Sequence, residues 1–218
     1  MIDLHTHTLF SDGELVPSEL VRRSEVMGYR AIALTDHADS SNIDFIIPRT
    51  VRIAEELNRV QSVCVVPGVE LTHVPPPLIK PMVKQARELG AALVIVHGES
   101  VVEPVASGTN LAGLEAGADI LAHPGLITPE DAELAARKKI FLEISGRTGH
   151  GLSNGHVAKI AVESGARLIL NSDAHGPLDL MTEEYAIKVV KGAGLSSVSL
   201  NDLLSNSCRL LNRIGYSL

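Results

Sequence analysis

Asp3-Leu4-His5-Thr6-His7 opens the chain with two imidazoles two positions apart. On an extended strand such residues point to the same side. Asp12 follows beside Gly13, a residue that tolerates a sharp turn. Two adjacent nitrogen donors and a nearby carboxylate oxygen are the beginning of a metal site. Similar groups recur further on: Thr35-Asp36-His37, Gly68-Val69-Glu70 with His73 close by, His97 before Gly98-Glu99, His123 before Pro124-Gly125, and Asn171-Ser172-Asp173-Ala174-His175. In the last of these, Asp-x-His again sets two ligand types on one side of an extended segment.

Each group stands at or just after a short apolar run. The runs predict strands over Ile2–Thr8, Ala31–Asp36, Cys64–Leu71, Ala92–His97, Asp119–His123, Ile140–Ile144 and Arg167–Asn171. Most are continuously apolar, as parallel strands covered on both faces are. Helical patterns separate them. Ile79, Met82, Val83, Ala86 and Leu89 follow helical spacing up to Gly90. Thr128 and Pro129 read as cap and first turn of another helix. Val157, Ile160 and Ala161 mark a helix stopped near Gly165, and Leu200, Leu203, Leu204, Leu211 and Ile214 fit a closing one. Pro75-Pro76-Pro77 reads as a rigid loop lip. Seven strand–helix units without a linker point to an α/β barrel, with an open doubly wound sheet as the rival. Candidate ligands at the first and last strands favour closure. In an open sheet with neighbours about 4.8 Å apart, those ends would be over about 20 Å from each other.

The 218 residues suffice for one large domain, here taken as 1–218. Hydrophobic residues make up 45% and charged residues 21%, which excludes a disordered chain. The net charge of −7 and the 3% of aromatic residues argue against a nucleic-acid partner. Cys64 and Cys208 form no C-x-x-C pair and read as small buried hydrophobes. No apolar run approaches the ~20 residues of a membrane span, so a cytoplasmic location is expected.

In their order, the segments DLHTHT, SDG, TDH, GVE, a lone strand-end His97, HPG and NSDAH resemble those of the PHP (polymerase and histidinol phosphatase) superfamily of metal-dependent phosphoesterases. The resemblance runs from His5 to His175. It implies a single-domain, distorted seven-stranded (β/α)7 barrel and two or three divalent metals (Zn, Mn or Fe). By position, it implies that His5, His7, Glu70 and Asp173 hold one metal. Glu70 bridges to a second held by His97 and His123, and Asp12, His37 and His175 hold a third. Glu70, Asp173 and His175 are then the candidates for direct catalytic roles.

The chemistry is coherent on its own terms. Phosphate esters are anionic and resist attack. Metals polarise phosphoryl oxygens and bring the pKa of bound water toward ~7, and a pair about 3.5–4 Å apart can share a hydroxide that attacks phosphorus in line. The expected activity is hydrolysis of a small phosphate monoester, histidinol phosphate being the named candidate. A nucleotide phosphoesterase or exonuclease is the alternative within that chemistry. A noncatalytic protein or RNA scaffold is the alternative outside it, and the full ligand set and acidic surface count against it.

Other residues carry weaker expectations. Asp36 is expected to orient His37 or another ligand, and Glu99 or Glu143 to accept from a ligand histidine or face a cationic substrate. Arg147, in the glycine-rich stretch Gly146-Arg147-Thr148-Gly149-His150-Gly151, could grip a phosphate or be a solvated charge on a flexible turn. His73 could line the substrate mouth or lie on the surface. Arg49 and Lys80 are further possible phosphate contacts. His156 is placed in the first turn of a helix.

Overall fold

A computed structural model describes residues 1–195 and 200–218. Parallel strands β1 (Ile2–Asp3), β2 (Ala31–Leu34), β3 (His37–Ala38), β4 (Cys64–Leu71), β5 (Leu93–His97), β6 (Ile120–Ala122), β7 (Phe141–Ser145) and β8 (Arg167–Asn171) alternate with helices. The helices are α1 (Pro17–Val26), α2 (Ile43–Leu57), α3 (Pro76–Glu88), α4 (Thr109–Ala116), α5 (Pro129–Lys138), α6 (Asn154–Ser164), α7 (Glu183–Gly192) and α8 (Leu200–Arg213). Pairing runs β1-β2-β4-β5-β6-β7-β8, and the two-residue β3 continues beside β4 where β2 stops. The result is a nearly closed, distorted barrel of seven parallel strands.

Alternation along the strands explains where the site lies. Val66, Leu93, Ile95, Ile120, Phe141 and Ile169 pack together with Ile2 and Leu4 in the barrel interior, and Leu210 and Leu211 of α8 join them. Two residues further along the same faces come Glu70 after Gly68, His97 after Ile95, Glu143 after Phe141, and Asn171 then Asp173 after Ile169. On these strands the interior face is thus apolar at its start and polar at its C-terminal end, the end where barrels of this kind build their sites.

The first strand is shorter than its pattern predicts. After Asp3 the ladder gives way to side chains: Leu4 N donates to Asn171 Oδ1 at 2.9 Å, Thr6 N to Thr35 Oγ1 at 3.0 Å, and Thr6 Oγ1 to the Ala33 carbonyl at 2.6 Å. A lone bridge, Thr6 to Ala174, and the bond from His7 N to the Ala174 carbonyl (2.8 Å) bring the last strand's end against the first. The predicted Ala31–Asp36 strand stops at Leu34 for the same reason, because Thr35 and Asp36 engage the 6–11 segment.

Pro75-Pro76-Pro77 does not form a loop lip. Pro75 is the N-cap, and Pro76 and Pro77 are the first turn of α3, where no intrahelical N–H is needed and a fixed φ is already helical. Thr128 caps α5, its Oγ1 accepting from Asp131 N at 3.1 Å. The cysteines are free and half-buried, not core residues. Among the described residues, no helix is long and apolar enough to cross a membrane.

Candidate metal centre

The strand ends bring His5, His7, Asp12, His37, Glu70, His97, His123, Asp173 and His175 to one open cavity of about 400 Å³ and its floor. His7 Nε2 lies 3.1 Å from Asp173 Oδ1, and His5 Nε2 lies 3.4 Å from Glu70 Oε1 and 3.8 Å from Asp173 Oδ1. His97 Nδ1 and His123 Nε2 stand 3.3 and 3.7 Å from Glu70 Oε1. Asp12 Oδ1 is 3.5 Å from His37 Nε2 and 3.2 Å from His175 Nε2. Glu70 is therefore the centre, with Oε2 also 2.6 Å from His37 Nδ1.

Backbone geometry at these residues is unusual. His73, His123 and Asp173 have φ of 52°, 26° and 55°, a region that costs a residue with a Cβ and persists where surroundings enforce it. Two glycines permit close approach. A Cβ on Gly125 would meet the Glu99 carbonyl oxygen at 1.8 Å, locking the loop after His123 against the loop after His97. A Cβ on Gly13 would meet the His7 carbonyl oxygen at 2.5 Å, so the turn that carries Asp12 folds directly onto His7.

Supporting side chains hold the far sides of the clustered residues. Glu143, fully buried, takes His5 Nδ1 on Oε1 (2.9 Å), where Asn171 Nδ2 also donates (2.8 Å), and accepts His123 N on Oε2 (3.1 Å). Thr72 Oγ1 is 2.6 Å from His37 Nδ1. Asp36 does not touch His37 through its carboxylate. It accepts from Thr8 N (2.7 Å), Thr8 Oγ1 and Ser11 Oγ, and so orders the turn that presents Asp12. Glu99 accepts from Gly108 N and Asn110 N at the start of α4 and serves no histidine. Glu143→Gln, which keeps volume but turns a charged acceptor into an amide, is expected to weaken Zn²⁺ binding about 10–100-fold. Competition with a chromophoric chelator measures this.

Electrostatics follow from burial and crowding. Burial opposes charge on Glu70, yet His5, His37 and His97 outweigh it and hold the carboxyl well below its usual range. Burial likewise opposes charge on His97, but Glu70 and Glu103 lift it to about 10. Burial, with His37 and His5 nearby, drives His7 well below the ordinary imidazole value, and burial with His97 does the same to His123. Asp173 is pushed up by burial to about 7.

A divalent cation fits this set. Among the described residues, His5 Nε2, both nitrogens of His7 and of His97, His123 Nδ1 and Glu70 Oε1 are buried without a hydrogen-bond partner. Each such atom ordinarily costs about 1–3 kcal/mol, and several in one place call for a ligand. Donor pairs separated by 3.1–3.8 Å are mostly too far apart to hydrogen-bond well but suit imidazole and carboxylate atoms sharing one ion.

Of the remaining predicted residues, Arg147 and His73 line the cavity. Arg147 donates to the Asp173 carbonyl at 3.1 Å and lies against His175 Nδ1. Arg49 is elsewhere: its guanidinium sits 3.6 Å over the Phe45 ring and donates to the Phe45 carbonyl, on the outer face of α2. A half-buried arginine one turn from an aromatic residue satisfies itself locally, and Arg49 is not among the residues that line the cavity. Lys80 is exposed on α3, outside the cavity lining. His156 opens α6 with Nε2 2.8 Å from the Ile127 carbonyl.

Two residues escaped the sequence reading. Glu103 reaches over the cavity, 2.8 Å from His97 Nε2, though off the line a ring N–H takes, and 3.3 Å from His73 Nε2. His97, outweighing burial, holds Glu103 down at about 2. His150, placed by the sequence only in a glycine-rich stretch that could grip a phosphate or form a flexible turn, is buried against His123. Spacing alone does not separate Glu103 from Glu99 in one loop.

Residues 3–165 match the PHP domain family. The chain is 52% identical over 215 residues to uncharacterized protein MJ1295 of Methanocaldococcus jannaschii, covering 97% of this chain and 99% of that protein. It is 38% identical over 100 residues to a probable phosphatase of Thermoanaerobacter sp., covering 41% of this chain and 39% of that one. Its fold is similar to that of histidinol phosphate phosphatase from Lactococcus lactis, solved with Zn, L-histidinol and phosphate. The TM-score is 0.63 at 18% identity, covering 88% of this chain and 93% of the other. Asp173 and His175 lie beyond the matched stretch, and the closing of the last strand against the first returns them to His5 and His7. With residues 3–165 of its 218 matched, the chain belongs to the PHP domain family.

Proposed function

We propose that this protein is a metal-dependent phosphoesterase that hydrolyses a small phosphate monoester, with histidinol phosphate the leading candidate. The observation that carries the reading is the convergence of unpartnered, buried imidazole and carboxylate atoms beneath an open cavity. His5, His7, Glu70 and Asp173 would hold one cation, Glu70, His97 and His123 a second, and Asp12, His37 and His175 a third. Such ions, when bound, supply Lewis-acid polarisation of phosphoryl oxygens and acidify water to near-neutral pKa.

The chain's own residues define what enters. At about 400 Å³ the cavity suits a metabolite. Arg147 supplies a fixed positive charge for a phosphate at one side. Glu103, outside that ligand set, also lines the cavity, where a free carboxylate repels a polyanionic strand and favours a substrate whose other end is cationic. Histidinol phosphate carries an amine and an imidazole and meets both demands. The L. lactis protein of similar fold, solved with L-histidinol and phosphate, supports the same choice.

A screen of phosphorylated metabolites with Zn²⁺- or Mn²⁺-loaded protein tests the proposal. Phosphate release that a chelator abolishes is expected, highest for amine-bearing monoesters. Metal binding without turnover of any phosphate ester would overturn it. Arg147→Met is expected to raise KM, and the inhibition constant of inorganic phosphate, about tenfold or more, the loss of one charge-assisted contact.

A further inference from the structure

We infer that His150 is a direct protein ligand of the metal cluster, in addition to the strand-end residues; the inference rests on the metal-dependent reading above. His150 opens a short 3₁₀ turn (His150–Ser153) after β7, and only 4% of its surface is exposed. Its ring is held from two sides. Nδ1 is 2.7 Å from Ser100 Oγ, in the loop after β5. The ring face stacks on His123, with centroids 4.0 Å apart and planes within 15°.

This leaves Nε2 directed where the cluster lies. His150 Nε2 is 3.9 Å from Asp173 Oδ2, and His123 Nε2 is 3.8 Å from the same oxygen. Glu103 Oε1 stands 3.5 Å from His150 Nε2 on the cavity side. None of these is a normal hydrogen-bond length. They are separations that two atoms bonded to one ion adopt, since each Zn–N or Zn–O bond is about 2.0–2.2 Å. One donor atom each from His123, His150 and Asp173 lies within 4.8 Å of the others, as do atoms of His5, His7 and Asp173.

His156 shows what a merely structural histidine looks like in this fold, its Nε2 bonded directly to a carbonyl at 2.8 Å. His150 instead has one nitrogen anchored by a hydroxyl and the other aimed at carboxylate oxygens it does not reach, the arrangement of a metal-ligating imidazole with its outer partner. An added imidazole also shifts the donor set toward nitrogen and favours Zn²⁺ over Mn²⁺.

The test uses the full chain freed of metal by chelation and titrated with Zn²⁺ and Mn²⁺ against a competing chromophoric chelator. The Co²⁺-loaded visible spectrum is a second readout. His150→Ala is expected to weaken one Zn²⁺ site at least about a hundredfold, to affect Mn²⁺ less and to change the Co²⁺ spectrum. Ser100→Ala should weaken the same site about tenfold, and His156→Ala should leave binding unchanged. Wild-type stoichiometry, affinity and spectrum in His150→Ala would overturn the inference while leaving the metal-dependent reading intact. If His150→Ala does not fold by circular dichroism, unchanged Zn²⁺ affinity in Ser100→Ala overturns it. A wild-type chain that binds no divalent ion overturns both.

Discussion

Glu70→Gln is expected to lower kcat/KM for a phosphate monoester by at least about a thousandfold, roughly 4 kcal/mol of transition-state stabilisation, and to leave the purified protein short of metal. Glu70 has no exposed surface, and its two oxygens face His5, His7, His37, His97 and His123. It stands between both metal sets it would bridge, with histidines of each within 3.8 Å of its oxygens. Glutamine matches its shape and keeps one acceptor oxygen, so packing is preserved while the charge and one ligand atom are lost. The loss should therefore be in metal content and rate, not in fold. Elemental analysis of dialysed protein and turnover of a chromogenic phosphate ester in excess Zn²⁺ or Mn²⁺ separate the two effects. A variant with wild-type metal content and rate would remove Glu70 from the centre of the site.

That Glu70, His97, Asp173 and their companions could be expected to converge before the fold was known follows from barrel geometry. Cys64–Leu71 is a long, mostly apolar run and Arg167–Asn171 a short one built on Leu168, Ile169 and Leu170, and both strands occur with those limits. A ligand that ends such a run has only one place to go, the C-terminal mouth. The first two strands were overestimated because Thr6, Thr35 and Asp36 exchange ladder bonds for side-chain bonds, a trade that hydrophobic patterning does not record. The proline run was misread because a fixed φ suits a loop and a helix start equally. Loops were the least legible. Glu103 and His150 enter the site because two loops meet through Ser100 and His150, fifty positions apart, and no local spacing encodes that meeting. Arg49 stands near a loop end in the sequence, but its guanidinium lies over Phe45 one turn earlier on α2.

The second large effect is on stability. Stripping divalent ions is expected to lower Tm by about 8–16 °C, because an ion present at 1,000 times its Kd adds about 4.1 kcal/mol and each kcal/mol moves Tm about 2–4 °C at this size. The gap between loaded and metal-free protein should also widen from pH 7.5 to 9.5. In the metal-free protein, burial opposes the charge on His97, but Glu70 and Glu103 prevail and hold it at about 10, against about 6.5 in an unfolded chain. The folded state then binds a proton that the unfolded state lacks. This stabilisation is complete below about pH 6.5 and is lost as pH rises through 10, at up to about 1.4 kcal/mol per pH unit. His5 and His37, also raised by carboxylates that outweigh their burial, act in the same direction. His7 and His123, held low by burial, are neutral in both states throughout this window and contribute no slope. With an ion bound this slope disappears: His97 would give up its proton to coordinate, so the proton competes with the metal and affinity climbs as pH rises. Calorimetric scans of both forms across this range measure the gap. A gap that stays constant or narrows would mean that His97 keeps its proton in the loaded protein and is not a ligand.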